Sequence, residues 1–326
     1  MRQTICRFGQ LTFLTSFIYL QAADSIASEW TTHNAMPTAR SEIYCASVEH
    51  KIYVAGGLGF FRTVDACEVF NTRPSRWSSC PSLPYPLHHA AMAAHGNRVY
   101  ANGGYVSLTF KPDPGSALWS LSTDGHAWQR VSSLPVPLGE HTMTAVGDEL
   151  FLIGGRHHGE DSNQVWRYDI GTQQWSQQRP MPLARHSFAA VAVGTRIWVM
   201  GGRSAQGGSK LTDVTVYDTA LDRWQAGPSL PVGRGGHSAV VLGQQIHVFG
   251  GEQFNPNRVL NRHDVLDIAT GQWLQSTPSP TARHGSAAGK ADAQAFVIGG
   301  GTRPGLKTVF SVSPKTEALA IPKTSD

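Results

Sequence analysis

The sequence predicts an all-β fold built from six copies of a four-stranded unit. Two observations predict it, a double glycine at the end of an apolar run and a tryptophan, each of which recurs six times. The double glycines begin at Gly56, Gly103, Gly154, Gly201, Gly250 and Gly299, and the tryptophans are Trp30, Trp77, Trp128, Trp175, Trp224 and Trp273. Both series have spacings of 47, 51, 47, 49 and 49 residues. A fixed period of this length indicates a chain of equivalent supersecondary units.

Each unit contains four strand signals. The first is an apolar stretch such as RHSFAAVAV, and the second is the apolar run that ends on the double glycine. An aromatic residue lies three positions before the first glycine in every unit except the fifth, which has His247. Turn-forming residues lie six positions before five of the tryptophans, namely Asn71, Ser122, Asp169, Asp218 and Asp267. Since Asn and Asp favour tight turns, these positions predict a hairpin between a third and a fourth strand.

The position of Trp30 indicates that the six units close into a ring. Trp30 precedes the first double glycine, and no tryptophan follows Gly300. We therefore expect the segment around Trp30 to supply the outer strand of the last unit. Ring closure hides the sheet edges that an open array would expose.

These features together resemble the Kelch repeat, and the resemblance covers residues 29–322. Membership of that family implies a six-bladed β-propeller, with one four-stranded blade per repeat around a central channel. Residues 28–326 are therefore expected to form a single all-β domain, a six-bladed Kelch propeller closed by an N-terminal strand containing Trp30.

The first 27 residues have the pattern of a secretory signal peptide. Arg2 and Arg7 precede a short apolar run, and a stretch of small residues follows it. We expect cleavage after Ala23 or Ala27, and a periplasmic or secreted protein. The apolar run is too short to span a bilayer, so the sequence predicts no transmembrane anchor.

Export makes the cysteines informative. If Phe70 faces Trp77 across their hairpin, then Cys67 faces Cys80 in the same register. Directly opposed strand residues are close enough for a disulfide, which an oxidising compartment permits. Cys45 is then unpaired, and we expect it to be a buried apolar residue.

Composition argues against several classes of ligand. A net charge of +4, without a basic run, does not indicate nucleic-acid binding. The adjacent histidines His88 and His89 would point to opposite faces of a strand, so the pair does not predict a metal site. Glycine pairs without a following helix do not predict a phosphate-binding loop. We expect no cofactor, no metal and a monomeric protein.

Strand directions place two sets of residues on one face of the ring. This face, which we call the mouth face, carries the residues before each first strand and those after each double glycine. The predicted ligand-binding set there is Arg40, Ser41, His88, Arg156, Arg185, His186, Arg203, Arg234, Arg283 and His284. Like charges around a concave mouth attract anions, and arginine matches carboxylates. For any one arginine, a structural role in bonding backbone carbonyl groups is an equal alternative.

The family resemblance implies the same kind of ligand. Some animal Kelch adaptors bind acidic peptides through arginines and serines at strand starts and after the double glycine. Matching positions here are Arg40, Ser41, Arg156, Arg185, Arg203, Arg234 and Arg283. The first hypothesis is therefore a non-catalytic, exported binding module for an anionic sugar or an acidic peptide or protein.

A more distant resemblance implies an alternative function. Bacterial periplasmic sialic acid mutarotases are six-bladed Kelch propellers that use a glutamate after a strand-terminal glycine and an arginine six residues later. Glu252 and Arg258 have that spacing. In such an enzyme the carboxylate shuttles a proton between the anomeric hydroxyl and the ring oxygen, while arginine holds the sugar carboxylate.

Overall fold

The computed structural model describes residues 29–109 and 116–320. The predicted signal peptide lies outside these residues. Six four-stranded antiparallel sheets make up the fold; in five of them the strands follow chain order from inside to outside, and the sixth takes its outer strand from the N-terminal strand. The prediction of an all-β, six-bladed propeller is therefore confirmed. No helix among the described residues is long and apolar enough to cross a membrane.

Within each blade, the four strands lie side by side in order from the channel to the outside. The first strands are Cys45–Val48, Ala91–His95, Thr142–Val146, Ala189–Val193, Ser238–Leu242 and Ala287–Ala291. The second strands are Lys51–Ala55, Arg98–Asn102, Glu149–Ile153, Arg196–Met200, Gln245–Phe249 and Gln294–Ile298. The third strands are Cys67–Asn71, Ala117–Ser122, Val165–Asp169, Val214–Asp218, His263–Asp267 and Thr316–Ala320. The outer strands are Arg76–Cys80, Gln129–Ser133, Gln174–Gln178, Arg223–Ala226, Trp273–Gln275 and Glu29–His33.

Short elements lie in the connections between second and third strands. Three of these connections form two-stranded hairpins: Leu58–Gly59 with Arg62–Thr63, Arg156–His157 with Glu160–Asp161, and Glu252–Gln253 with Arg258–Val259. The connection of the sixth blade contains a 3₁₀ helix, Gly305–Phe310.

The ring is closed at both its inner and outer circumference. Each first strand contacts the first strand of the next blade, and Ala287–Ala291 of the sixth blade contacts Cys45–Val48 of the first. On the outside, Glu29–His33 pairs antiparallel with Thr316–Ala320, and Trp30 lies opposite Leu319. The indole of Trp30 packs edge-on against Phe249 of the fifth blade and donates to the carbonyl of Thr277. The N-terminal strand therefore completes the last blade, as predicted.

The double glycine connects each blade to the next. The backbone N–H of every second glycine donates to the carbonyl of the residue that starts the following blade, as Gly57 does to Leu87 at 2.7 Å. The last such bond runs from Gly300 to Arg40 and so joins the sixth blade to the first. A Cβ atom on Gly56 would lie 2.4 Å from the Leu87 oxygen, so a side chain cannot be accommodated there. Close approach between blades therefore explains the glycine pair.

The hairpin of the first blade has the predicted register. Phe70 lies opposite Trp77, Cys67 lies opposite Cys80, and a disulfide bond joins the two cysteines. Cys45 is a free, half-buried thiol, and burial raises its pKa to about 12.

Candidate functional site at the channel mouth

The mouth face contains both predicted sets of residues. In every blade, a residue just before the first strand forms an antiparallel bridge with the residue after the double glycine. The bridged pairs are Ser41 with Leu58, His88 with Tyr105, Gly139 with Arg156, His186 with Arg203, Gly235 with Glu252 and His284 with Gly301. The strand directions therefore give the correct face for these positions.

The four arginines that start a blade do not line the mouth. Arg40, Arg185, Arg234 and Arg283 are at most 1% exposed. Their guanidinium groups contact their own blades, so a ligand on the mouth face has no access to them. This burial corrects the expectation that they form the surface of an anion-binding mouth.

Each buried guanidinium group is compensated within its blade. Three form ion pairs with a carboxylate of the third strand: Arg40 with Glu68, Arg234 with Asp264, and Arg283 with Glu317. Arg185 instead donates to the carbonyl oxygens of Gly201 and Asp213, each at 3.2 Å. Burial lowers the pKa of the three paired arginines and the carboxylates act against that shift, so each pair offsets part of the cost of a buried charge.

The sequence contains a signal for this structural role. Where an ion pair forms, the second residue of the third strand is acidic, as in Glu68, Asp264 and Glu317. In the two blades that begin with Leu87 and Leu138, that residue is apolar, Leu118 or Trp166. An arginine at the start of these blades is thus matched by an acidic residue in the third strand, and a leucine by an apolar residue. This is the pattern expected of side chains that contact each other inside a blade.

A ring of polar contacts joins all six blades at the mouth, and we call it the mouth belt. Its contacts are Glu42 with His89, Tyr105 with Glu140, Glu140 with Ser187, Arg203 with Glu252, Glu252 with the backbone N–H of Gly305, and His284 with Glu42. Each contact links two neighbouring blades at a distance between 2.6 and 3.3 Å. The belt therefore fixes the relative positions of the blades at this face.

In and beside the belt, four carboxylates stand against two guanidinium groups, so acidic groups outnumber arginines. Its carboxylates and those beside it are Glu42, Glu140, Glu252 and Asp161, while its guanidinium groups are Arg203 and the adjacent Arg156. Burial would raise the pKa of Glu42, but the positive charges of His89, His284 and Arg203 outweigh it and hold that pKa well below its usual range. Burial would lower the pKa of His89, but Glu42 and Glu140 raise it above its usual value. The mouth is therefore not a strongly positive funnel.

Sequence reasoning missed Glu42 and Glu140 as members of the site. Both have a left-handed backbone, with φ of 52° and 56°, and the equivalent positions of the fifth and sixth blades are Gly236 and Gly285. Glycine at a repeat position is a signal for such a backbone. The two glycines therefore indicate a turn at this position of the mouth. In blades one and three a glutamate occupies the same turn, and its side chain reaches the neighbouring blade.

Few of the other predicted residues are accessible. Ser41, His88 and His284 are at most 1% exposed. The side chains of Arg156, His186 and Arg203 are 36%, 14% and 13% exposed, and each lies within 4 Å of a carboxylate. His186 Nδ1 lies 2.8 Å from Asp161 Oδ1, and Arg203 also packs over the ring of Phe254.

Glu252 and Arg258 are not brought together. Glu252 is 4% exposed and bonds to Arg203 and Gly305, whereas Arg258 donates to Gln253. In their hairpin Arg258 lies opposite Gln253, which is the neighbour of Glu252 in the same strand. Adjacent strand residues point to opposite faces, so Arg258 and Glu252 do not share a site.

The channel below the belt is a cavity of about 570 Å³. The first strands and the residues just before them form its walls, which combine small apolar residues with larger side chains such as Tyr44 and Met143. Among the residues that the structure describes, no three His, Cys, Asp or Glu side chains are placed to hold a metal ion.

Accessible positive charge lies instead in the connections of three consecutive blades. These connections, residues 250–262, 299–315 and 56–66, join the second to the third strand of blades five, six and one. Their exposed cations are Arg258, Arg303, Lys307, Lys315 and Arg62. Their one exposed acid is Asp65, since Glu252 is buried in the belt.

Comparison with known proteins agrees with this architecture. The model of the KLHDC2/KLHL20/DRC7 Kelch-repeats domain matches residues 83–229 and, in a second overlapping placement, residues 140–324. The two placements together span more than half of the chain. Propellers of this family typically bind proteins.

Individual relatives match over part of their length. Human Kelch-like protein 34 is 29% identical over 157 residues, which are 46% of this chain and 24% of that protein. Kelch-like protein terF of Aspergillus terreus is 27% identical over 196 residues, 56% of this chain and 43% of that protein. Beta-scruin of Limulus polyphemus is 30% identical over 197 residues, 58% of this chain and 22% of that protein. The chain thus spans less than half the length of these curated relatives.

Proposed function

The chain belongs to the Kelch-repeat family, and on that premise we propose that it is a binding propeller for an acidic segment of a partner protein. The segment binds on the mouth face, over the connections of blades five, six and one. The observation that carries the proposal is the exposed charge of these connections, five cations against one acid. Such a surface attracts an acidic partner and disfavours a basic one.

The ligand is acidic, as expected from the sequence, but the residues that bind it differ from those predicted there. The buried strand-start arginines form the framework of the blades, and the loop cations Arg62, Arg303 and Lys307 make the contacts with the partner. Export stays a prediction of the sequence, and the disulfide between Cys67 and Cys80 supports it because such bonds persist in oxidising compartments.

The test uses labelled peptides of matched length in acidic, neutral and basic versions, with binding measured by fluorescence anisotropy. We expect the acidic peptide to bind best. Its affinity should fall as the ionic strength rises from about 0.01 M to about 0.15 M, because the Debye length then shortens from about 30 Å to about 8 Å. The triple variant Arg62→Gln/Arg303→Gln/Lys307→Gln should weaken binding about tenfold, since each exposed ion pair contributes modestly.

The control variant neutralises Arg76 and Arg223, exposed cations that begin outer strands next to the hairpin turns on the opposite face. It should leave the affinity unchanged. Equal binding of the three peptides, or an equal loss in the control variant, would overturn the proposal. Binding of free sialic acid in place of the peptides would assign the surface to an acidic sugar instead.

A further inference from the structure

Three exposed aromatic side chains, Phe60, Phe61 and Phe310, form a cluster on the mouth face, which we call the rim patch, and the exposed Leu306 lies in the same 3₁₀ helix as Phe310. Phe60 and Phe61 lie in the connection of the first blade, and Leu306 and Phe310 lie in the 3₁₀ helix of the sixth. They are 65%, 49%, 65% and 57% exposed, respectively. The Phe61 ring lies 4.9 Å from that of Phe60 and 4.5 Å from that of Phe310, so the aromatic rings bridge the two blades.

The clustering is what distinguishes these side chains from other exposed apolar residues. Leu108, Leu221 and Leu274 are the remaining large apolar residues that are exposed in the described part of the chain. Leu221 lies in the hairpin turn of the fourth blade and Leu274 in the outer strand of the fifth. Single exposed apolar residues are ordinary, whereas a contiguous cluster indicates an interaction surface.

The backbone beneath the patch is fixed. Thr308 of the 3₁₀ helix donates to Ser41 of the first blade, and Gly305 at its start donates to Glu252 of the fifth. Phe61 has a φ of 52°, a left-handed conformation that is unusual for a bulky residue. Strained residues of this kind concentrate at binding sites, and the surrounding structure holds them in place.

Charge identifies the class of partner. Arg62 follows Phe61 directly, and Arg303 and Lys307 flank Leu306, all three exposed. An aromatic cluster beside cations is complementary to a peptide that carries a bulky apolar side chain next to Asp or Glu. A purely acidic segment would leave the rings exposed, and a purely apolar segment would not neutralise the cations.

We propose that the rim patch is the anchor site of the partner, which binds off the channel axis by inserting an apolar side chain of an acidic segment against Phe60, Phe61 and Phe310. This inference rests on the proposed function and specifies the partner and the position of its main contact. The belt and the channel lie beside the contact surface. Contacts at the junction of the sixth and first blades provide most of the binding free energy.

The experiment selects binding peptides from a displayed library of random linear sequences, panned against the full chain with its disulfide intact. Selected peptides are then synthesised and their dissociation constants measured. We expect sequences in which Leu, Phe or Trp adjoins Asp or Glu. The double variant Phe61→Asn/Phe310→Ser should weaken their binding about 30-fold or more, as for an interface hot spot.

Asn is chosen at position 61 because it tolerates a left-handed backbone, so the fold is retained. Phe60→Ser provides a second variant that leaves that position untouched. The matched control, Leu221→Asn/Leu274→Ser, removes equally exposed apolar side chains away from the patch and should leave affinity unchanged.

The outcomes separate the inference from the proposed function. Acidic peptides that are weakened by Arg303→Gln/Lys307→Gln but not by Phe61→Asn/Phe310→Ser would overturn the rim patch and leave the proposed function intact. Apolar peptides that depend on Phe61 but not on the cations would overturn the proposed function. Failure to enrich any peptide would overturn both.

Two further measurements test other occupants of the patch. Sedimentation velocity that shows self-association abolished by Phe61→Asn/Phe310→Ser would assign the surface to a second copy of the chain. Co-sedimentation with vesicles of phosphatidylserine and phosphatidylcholine, lost in the same variant, would assign it to an anionic membrane. Either result would overturn the inference.

Discussion

The two sets of cations near the mouth face differ in their exposure to solvent. The strand-start arginines, of which Arg283 is typical, are at most 1% exposed and are bonded within their blades. The cations of the connections, of which Arg303 is typical, are exposed. The two sets are close together on the same side of the ring, yet one stabilises the blade and the other is available to a partner.

The difference arises from what each side chain can reach. Each of these arginines lies four or five residues before a first strand, beside the ends of the second and third strands of its own blade. Backbone carbonyls there, and in three blades a carboxylate, contact its guanidinium group. A cation in a connection projects beyond these strands. A repeated charge on a concave face is therefore not by itself a binding site.

The largest expected effect is the loss of a buried ion pair. Arg283→Met removes the cation beside Glu317, whose side chain is 1% exposed. Leaving that carboxylate buried without its partner should lower the free energy of unfolding by about 3–5 kcal/mol. Denaturant unfolding followed by tryptophan fluorescence measures it.

Arg185→Met is the matched control for that substitution. Arg185 bonds to two carbonyl oxygens and leaves no buried carboxylate behind, so the loss should be about 1–3 kcal/mol. Equal losses in both variants would show that the carboxylate does not explain the larger effect.

A smaller effect is expected from a buried polar group that lacks compensation. His141 is fully buried, and neither ring nitrogen has a hydrogen-bond partner among the described residues. Burial lowers its pKa to about 3, so the folded protein keeps the ring neutral while the unfolded chain protonates it below a pH of about 6.5. The contribution of His141 to the free energy of unfolding therefore decreases by about 1.4 kcal/mol for each pH unit between about 6.5 and the pKa of the folded state.

His141→Phe should remove this contribution, and Phe188 occupies the equivalent position of the fourth blade. We expect the variant to lose less stability than the parent between pH 6 and pH 4, as measured by urea unfolding at each pH. His126→Gln, at an exposed site, is the control and should keep the parental slope. If the free energy of unfolding of His141→Phe decreased with pH as steeply as that of the parent, the assignment would be contradicted.

The smallest effect on stability is expected for the loop cations. Arg303→Gln should change the midpoint of thermal unfolding by no more than about 1 °C, because an exposed side chain away from the core contributes little to stability. Calorimetry measures it alongside the peptide affinity of the same variant. A loss comparable to that of Arg283→Met would show that Arg303 is also part of the framework, and would end the contrast between the two sets.

Most of the fold could be predicted because each feature depends on short-range constraints repeated six times. The double glycine is needed wherever one blade bonds to the next, so its period reports the number of blades. Trp30 reports closure because it has the spacing of an outer strand. The pairing of Cys67 with Cys80 follows from hairpin register alone.

The site could be predicted less well, since two of its properties depend on contacts between distant residues. Glu252 and Arg258 have the expected spacing, but the hairpin turns them to opposite faces. Glu42 and Glu140 have no motif around them, and they join the belt because the ring brings neighbouring blades to them. Local spacing gives the face on which a residue lies but not the direction of its side chain.

By itself, the sequence determined the six-bladed ring, its closure and the face on which each cation lies, because period and strand direction are properties of the chain. Only the tertiary structure decided which cations are accessible. Arg40, Arg185, Arg234 and Arg283 are buried because partners from other strands of the same blade compensate their charge. Phe61 and Phe310, 249 residues apart, become one surface because ring closure makes the last blade a neighbour of the first.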